Sequence, residues 1–299
     1  MAEPLKVGVI GLGDIARKAY LPVLAARGDL ELHLLTRDRV TLDRLGDAYR
    51  IPHRYQDLDA LLDAGVTAAF VHAATEAHAP IVTALLDADR HVYVDKPLDA
   101  TYAGAERLVR LAELRGRSLM VGFNRRYAPA YADLLRLQRD VVVMEKNRAT
   151  LPAAPRSVVF DDFIHVVDTL RFLVPGPVEG TDIQVRVRGG ELHHVVLRLS
   201  GDGFTAIGIM NRMGGAAEES LEVMGAGLKR RVVDIAEVTE YVGGATSVTR
   251  RGDWTPVSRQ RGMEQACAAF VDAVRDGRLL SAEDALRTHA LCERIVAAC

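Results

Sequence analysis

Three groups of side chains in this chain have the types and spacing for chemistry. Val94-Asp95-Lys96-Pro97 places a lysine directly after an apolar run. A lysine at the carboxyl end of a strand can hydrogen-bond a substrate oxygen and stabilise negative charge developing there. Most lysines are solvated surface residues, but a proline after this one fixes the local backbone and admits a cis bond. Residues 160–168 read as helical, which predicts Asp161, His165 and Asp168 on one face at spacings of four and three. A carboxylate one turn from a histidine orients its ring and suits it to general acid/base work near neutral pH. Taken alone, D-x-x-x-H-x-x-D reads first as a helix face with a locally satisfied histidine. The third group is Gly11-Leu12-Gly13-Asp14-Ile15-Ala16, which follows the apolar run Val7–Ile10. It is G-x-G-x-x-A in the context that makes the motif informative, with a strand before it and a helix after it. Gly11 permits the tight turn, Gly13 lets backbone approach a pyrophosphate, and Ala16 lets helix and strand pack closely. The following helix directs its N-terminal N–H groups and positive dipole end at the phosphates.

The elements that must hold these groups follow from hydrophobic patterning. Residues 5–10, 30–36, 67–72, 91–94 and 118–122 are short apolar runs of the kind found in buried parallel strands. Helical patterns lie between them, such as 14–27 and 101–116. This β/α alternation predicts an α/β fold whose first domain, 1–122, is a doubly wound parallel Rossmann sheet. The texture then changes. A helix at 127–138, a strand at 140–148 and a helix at 160–173 precede strand-like runs at 181–188, 192–199, 203–212, 218–224 and 229–235. Gly189-Gly190 and Gly201-Asp202-Gly203 mark hairpin turns. Helices at about 260–276 and 281–297 end the chain. Residues 123–299 are thus expected to form an α+β domain with an open, mainly antiparallel sheet, serving substrate binding and oligomerisation. The C-terminal helix is able to pack back on the first domain.

Composition narrows the class. The chain has 299 residues, 49% of them hydrophobic, and a formal charge of −2. That supports a sizeable core and gives no reason to expect nucleic acid as a partner. No apolar window is long enough for a membrane span, and no secretory signal is visible. The three cysteines, Cys267, Cys292 and Cys299, lack metal-ligand spacing and read as reduced thiols of a cytoplasmic protein; no metal is expected.

Taken in order, these stretches resemble the Gfo/Idh/MocA oxidoreductases, with details closest to the bacterial MviM-like (YceM-like) subgroup. The resemblance runs through the N-terminal turn with Lys18-Ala19-Tyr20-Leu21-Pro22, then Thr75-Glu76-Ala77-His78 and Asp95-Lys96-Pro97. It continues through Leu119 to Tyr127, Asp161 to Asp168, Phe270 to Val274 and Asp284 to Leu286. It implies hydride transfer between nicotinamide C4 and a hydroxyl or carbonyl carbon of a sugar, cyclitol or related molecule. His165 is then the general acid/base, Lys96 positions the substrate oxygen, and Asp161 supports His165, with Asp162 competing for that role one residue on. The cofactor residues implied are Gly11, Gly13, Asp14, Ile15, Ala16, Thr36, Arg37, Ala74, Thr75, His78, Asp95 and Lys96. Asn124 and Arg126 border the cleft, and Asp162 and Lys146 are assigned to substrate. Lys146, Asn147 and Arg148 suit either an anionic or a polyhydroxylated substrate, and a solvated sheet edge describes them equally well. Two departures stand out: Asp95 replaces the usual glutamate, and residues 150–157 lack the glycine-rich turn of many relatives.

Thr36-Arg37 closes the second strand where NAD-specific relatives carry aspartate. Threonine does not repel a 2′-phosphate, and Arg37 can pair with it, with Arg39 close by, so NADP is favoured over NAD. Asp38 is the competing ribose acceptor if the strand ends two residues later. A homodimer or higher homo-oligomer through the C-terminal sheet is expected. Two other functions stay open: an imine or other natural-product reductase on the same scaffold, and a non-catalytic nucleotide sensor.

Overall fold

The structure, a computed structural model, describes residues 3–299. The chain forms two compact units. One holds the chain up to Gly122 together with Met263–Leu286, and the other holds Phe123–Gly262 with Arg287–Cys299.

The first unit is built on six parallel strands: β1 (Leu5–Ile10), β2 (Leu30–Leu35), β3 (His53–Tyr55), β4 (Ala68–Val71), β5 (His91–Val94) and β6 (Leu119–Val121). Their order is β3-β2-β1-β4-β5-β6, the doubly wound arrangement with its switch point between β1 and β4. The central strands are buried on both faces, as helices on each side require; every residue of β4 is buried. The expected strands are all present, and β3 is an addition. Its three half-buried residues, His-Arg-Tyr, are too short and polar to register as an apolar run.

The returning helix Met263–Arg275 completes this core. Phe270 packs edge-on against Phe70 and Tyr93, with ring centroids 5.2 and 5.7 Å apart. Beyond that helix, Leu119 of β6 donates its N–H to the Leu280 carbonyl (3.0 Å). Burying a phenylalanine such as Phe270 contributes roughly 2–3 kcal/mol. The buried Cys267 thiol is pushed up to about 12 by burial, which makes it an inert packing residue.

The second unit carries an eight-stranded sheet: β7 (Val141–Asn147), β8 (Gly180–Arg188), β9 (Glu191–Gly201), β10 (Phe204–Asn211), β11 (Glu218–Gly225), β12 (Leu228–Val233), β13 (Glu237–Val242) and β14 (Ala245–Arg250). The order is β14-β13-β12-β11-β7-β10-β9-β8. Only the β7–β10 pair is parallel. The hairpin β13–β14 extends beyond the strands expected from sequence; its second strand is exposed along its whole length, so no buried face patterns it.

The helix Ile164–Leu173 lies on this sheet. A Cβ at Gly208 of β10 would sit 2.6 Å from Val166 and 2.9 Å from Leu170, so glycine there allows the close approach. The expected helix at 127–138 is instead a chain of short turns, Asn124–Tyr127, Pro129–Ala132 and Asp133–Arg136. Pro129 has no N–H to continue a helix from the preceding turn. No helix among the described residues is long and apolar enough to cross a membrane.

Candidate active site

The glycine-rich turn after β1 has a geometry that other residues would not reproduce. Gly11 sits at φ +84°, and a Cβ there would come within 2.6 Å of the Ala73 backbone nitrogen. Its conformation and its closeness to the β4 turn both demand glycine. A Cβ at Gly13 would meet nothing within 4 Å. The chain itself does not fill that space, as a pyrophosphate cradle requires. Ala16 is fully buried, while Asp14 is exposed and paired with Lys18 at 2.8 Å; Ile15 is also exposed. The helical segment then widens into a π-turn at Ala16–Tyr20, closed by a Leu21 N–H to Ala16 carbonyl bond. Pro22, lacking an N–H, gives a reason for the change of register.

Helix capping separates the two sides of the switch point. Asp38, Asp57 and Thr101 each cap their own helix, accepting from the N–H of Thr41, Ala60 and Gly104. The helix after β1 starts behind Gly13, which has no side chain. The helix Thr75–Asp87 after β4 starts at Ala74 without a side-chain cap. The two uncapped helix starts thus flank the β1/β4 crevice, where their N–H groups suit an anionic ligand. These residues fit a dinucleotide. The His78 ring spans the Pro97 carbonyl (2.8 Å) and the Ala73 carbonyl (3.0 Å), tying this helix to both βα turns.

At the second strand, Asp38 is occupied as a helix cap, and its hydrogen bond to Thr41 holds it below the usual carboxylate range. Thr36 follows the last strand residue, and Arg37 is exposed. Arg39 is turned to Asp43 at 2.7 Å. Beside β5, the Lys96–Pro97 bond is cis, and Asp95 accepts from the Lys96 N–H (2.8 Å). Burial raises the Asp95 carboxyl, with the Lys96 charge pulling it back.

In the second unit, His165 opens the helix Ile164–Leu173, which follows a widened π-turn at Val158–Phe163 closed by Ile164 N–H to the Val159 carbonyl. That wider turn changes the phase read from a regular helix. Asp161 is exposed and accepts from the Ser157 hydroxyl (2.9 Å), whereas His165 is half-buried. Asp168 is fully buried, clamped by Arg126 (2.6 and 2.8 Å) and Thr288 (3.1 Å). Along this segment Asp161 is thus exposed, His165 half-buried and Asp168 buried. Arg126 is committed to Asp168 and lies over Phe123 and Phe172, and Asn124 donates to the Arg261 carbonyl (2.7 Å). Both act as braces in this unit.

Lys146 and Asp162 are brought together. Lys146 Nζ lies 2.6 Å from Asp162, which also receives two bonds from Arg148 (2.7 and 2.8 Å) and one from Arg212 (2.8 Å). Beside them Arg125 makes a two-pronged pair with Glu219 (2.6 and 2.8 Å), and Tyr131 donates to the same carboxylate (3.0 Å). Burial pulls the Lys146 ammonium down to about 8, with the Arg125 charge adding to the effect. Burial opposes the charge on Asp162, but Lys146 and Arg148 hold it at about 2. Arg212, Arg125 and Glu219 were not singled out from sequence. The strand period carries the missed signal: Val142, Met144 and Lys146 share the buried face of β7, and Ala206, Gly208, Met210 and Arg212 run in one phase along and past β10. Glu219 stands opposite Lys146 in the β7–β11 register.

Another group, Glu31 and His33 on β2 and His53 on β3, has ligand atoms close enough for a metal. The two imidazole planes are stacked at 11°, so their in-plane lone pairs do not converge on one point.

Residues 5–123 match the oxidoreductase family with an NAD-binding Rossmann fold (GFO_IDH_MocA), and residues 129–241 match the YceM-like C-terminal domain. The YceM protein of Salmonella typhimurium is 34% identical over 98% of this chain and 96% of its own length. A solved Gfo/Idh/MocA oxidoreductase from Vibrio cholerae superposes with a TM-score of 0.93 at 31% identity, covering 98% of this chain and 97% of that one. A dTDP-3,4-didehydro-2,6-dideoxy-alpha-D-glucose 3-reductase from Streptomyces antibioticus is 35% identical over 50% of this chain and 48% of its own. Glycine turn, parallel sheet and antiparallel partner sheet thus recur together, and the chain belongs to the Gfo/Idh/MocA oxidoreductase family, with a C-terminal domain of the YceM-like type.

Proposed function

We propose that the enzyme transfers a hydride between nicotinamide C4 and a hydroxyl-bearing or carbonyl carbon of a sugar, cyclitol or related small molecule. The observation that carries this is the pair of uncapped helix starts flanking the β1/β4 switch point, with open space at Gly13. The match to a deoxysugar reductase supports the substrate class. When bound, the nicotinamide supplies or receives the hydride. Gly11, Gly13 and Ala16 form the turn for the pyrophosphate, with the helix starts at Asp14–Ile15 and Ala74–Thr75 on either side. His165 takes the hydroxyl proton during oxidation and returns it during reduction. Lys96 orients the substrate oxygen and stabilises the negative charge that develops on it. Asp161 is the acid that supports His165, because all four bonds made by Asp162 go to three cations.

The cofactor in this reading is NADP. The capping bond that engages Asp38 supports this reading, as do Thr36 and Arg37 at the end of β2. Fluorescence titration should show NADPH binding more tightly than NADH, and Arg37→Ala should narrow the gap. Tighter NADH binding, unchanged by that substitution, overturns it. For the catalytic assignment, a panel of pyranoses and cyclitols identifies a substrate. His165→Ala should then lower kcat by about a hundredfold or more while NADPH affinity holds. Near-wild-type turnover by a folded His165→Ala enzyme removes His165 from the proton step.

A further inference from the structure

Asp162 is surrounded by more positive charge than it can neutralise. Lys146, Arg148 and Arg212 all pair with it, and its two oxygens already accept four hydrogen bonds. Among the described residues no other carboxylate pairs with Arg148 or Arg212. The neighbouring Arg125–Glu219 pair is neutral in itself, so the group keeps a formal excess of two positive charges. This excess is shielded from water: the side chains of Lys146, Arg212 and Asp162 are only 6, 7 and 14% exposed, while Arg148 is 31% exposed. Buried like charges persist at a cost unless an anion offsets them. The backbone adds rigidity. Lys146 is fixed in β7, and Arg212 is fastened to the Leu151 carbonyl through Nε. Asp162 lies three residues before His165, so the cluster sits roughly 5 Å along the helical segment from the histidine.

We infer that this cluster is a seat for an oxyanion on the substrate, a carboxylate or phosphate, with Arg148 as its exposed edge. The inference rests on the dehydrogenase reading for the word substrate, though not for the anion. Guanidinium forks match both kinds of oxyanion geometrically. The enzyme then acts on a sugar acid or sugar phosphate in preference to a neutral sugar, and Asp162 sets the charge of the empty seat.

Two measurements test this on the full chain. The first is thermal protection by inorganic phosphate, without any turnover. Phosphate should stabilise the wild type, Arg148→Gln should reduce the protection, and Asp162→Asn, which adds one net positive charge, should strengthen it. If the cations serve only to hold Asp162, Asp162→Asn and Arg148→Gln will leave phosphate protection equally absent, and the inference fails. The second compares kcat/KM for one polyol in neutral, carboxylate and phosphate forms. A preference of about tenfold to a hundredfold for one anionic form is expected, falling through KM in Arg148→Gln. The better form identifies the oxyanion. Equal values for neutral and anionic forms overturn the substrate assignment. Failure to turn over any polyol while phosphate still protects would sink the dehydrogenase reading and leave the anion seat standing.

Discussion

Arg125 and Arg126 are sequence neighbours, and each is committed to a different buried carboxylate, Glu219 and Asp168. The family resemblance carried by Asn124-Arg125-Arg126-Tyr127 placed Arg126 beside the cleft, while nothing local in the sequence reveals the carboxylate it pairs with. Both arginines fasten the turn at Asn124–Tyr127 to the rest of its unit. Glu219 illustrates the energetic side. Burial alone would raise its carboxyl, but Arg125 and Lys146 hold it at about 2, below the ordinary 4.5. A depressed folded value means that this stabilisation is complete above the ordinary range and is lost as pH falls from about 4.5 toward 2. Wild-type stability in urea should therefore decline over that window. Glu219→Gln should cost about 3–5 kcal/mol at pH 6, because Arg125 is left buried and unpaired, and should show a shallower acid slope. Equal stability of the two proteins at pH 6 would show that the pair is not holding the turn.

At the scale of elements, the first unit was almost fully legible because buried parallel strands are continuous apolar runs and each glycine turn announces itself. Legibility failed where periodicity carries no burial signal. β3 has three half-buried polar and aromatic residues, and β14 is exposed throughout, though Gly243-Gly244 between β13 and β14 is a hairpin signal that sequence reading can use. The widened turn at Val158–Phe163 was also invisible, since a five-residue hydrogen bond leaves no compositional mark, and the one at Ala16–Tyr20 has only Pro22 to announce it. The charged cluster was half legible: Lys146 stood out by type, while Arg212 and Glu219 required the strand phase. The glycine turn makes a sharp prediction. Gly11→Ala combines a positive φ with a 2.6 Å approach to Ala73, so it should abolish measurable NADPH binding and lower Tm. Gly13→Ala, which meets no protein atom, should keep Tm while weakening NADPH. A Gly13→Ala enzyme with unchanged NADPH affinity would show that the pyrophosphate lies elsewhere.

For the whole molecule, the exposed side of the second unit points to self-association. Tyr241 and Val248 share one face of the β13–β14 hairpin, and Trp254 just after it is 95% exposed. An apolar group of this kind is costly in water and suits a symmetric partner. We propose that the chain forms a homodimer through this sheet. Light scattering at micromolar concentration should give a dimer mass, and because Trp254 is the single tryptophan, its emission should shift to the red in Val248→Glu as the dimer dissociates. A monomer mass for the wild type refutes it. One further consequence comes from the path of the chain. The first unit needs Phe270 and Leu280, and the second needs Thr288 beside Asp168, so neither is finished until the last helices leave the ribosome. Roughly 140 residues separate Gly122 from the return at Met263, a wait on the order of 10 s at typical synthesis rates of about 5–20 residues per second. During that wait the edges of Phe70 and Tyr93 that meet Phe270 lack that partner. A premature stop at residue 262 would spare every strand of both sheets and still leave two unfinished cores for proteases to clear.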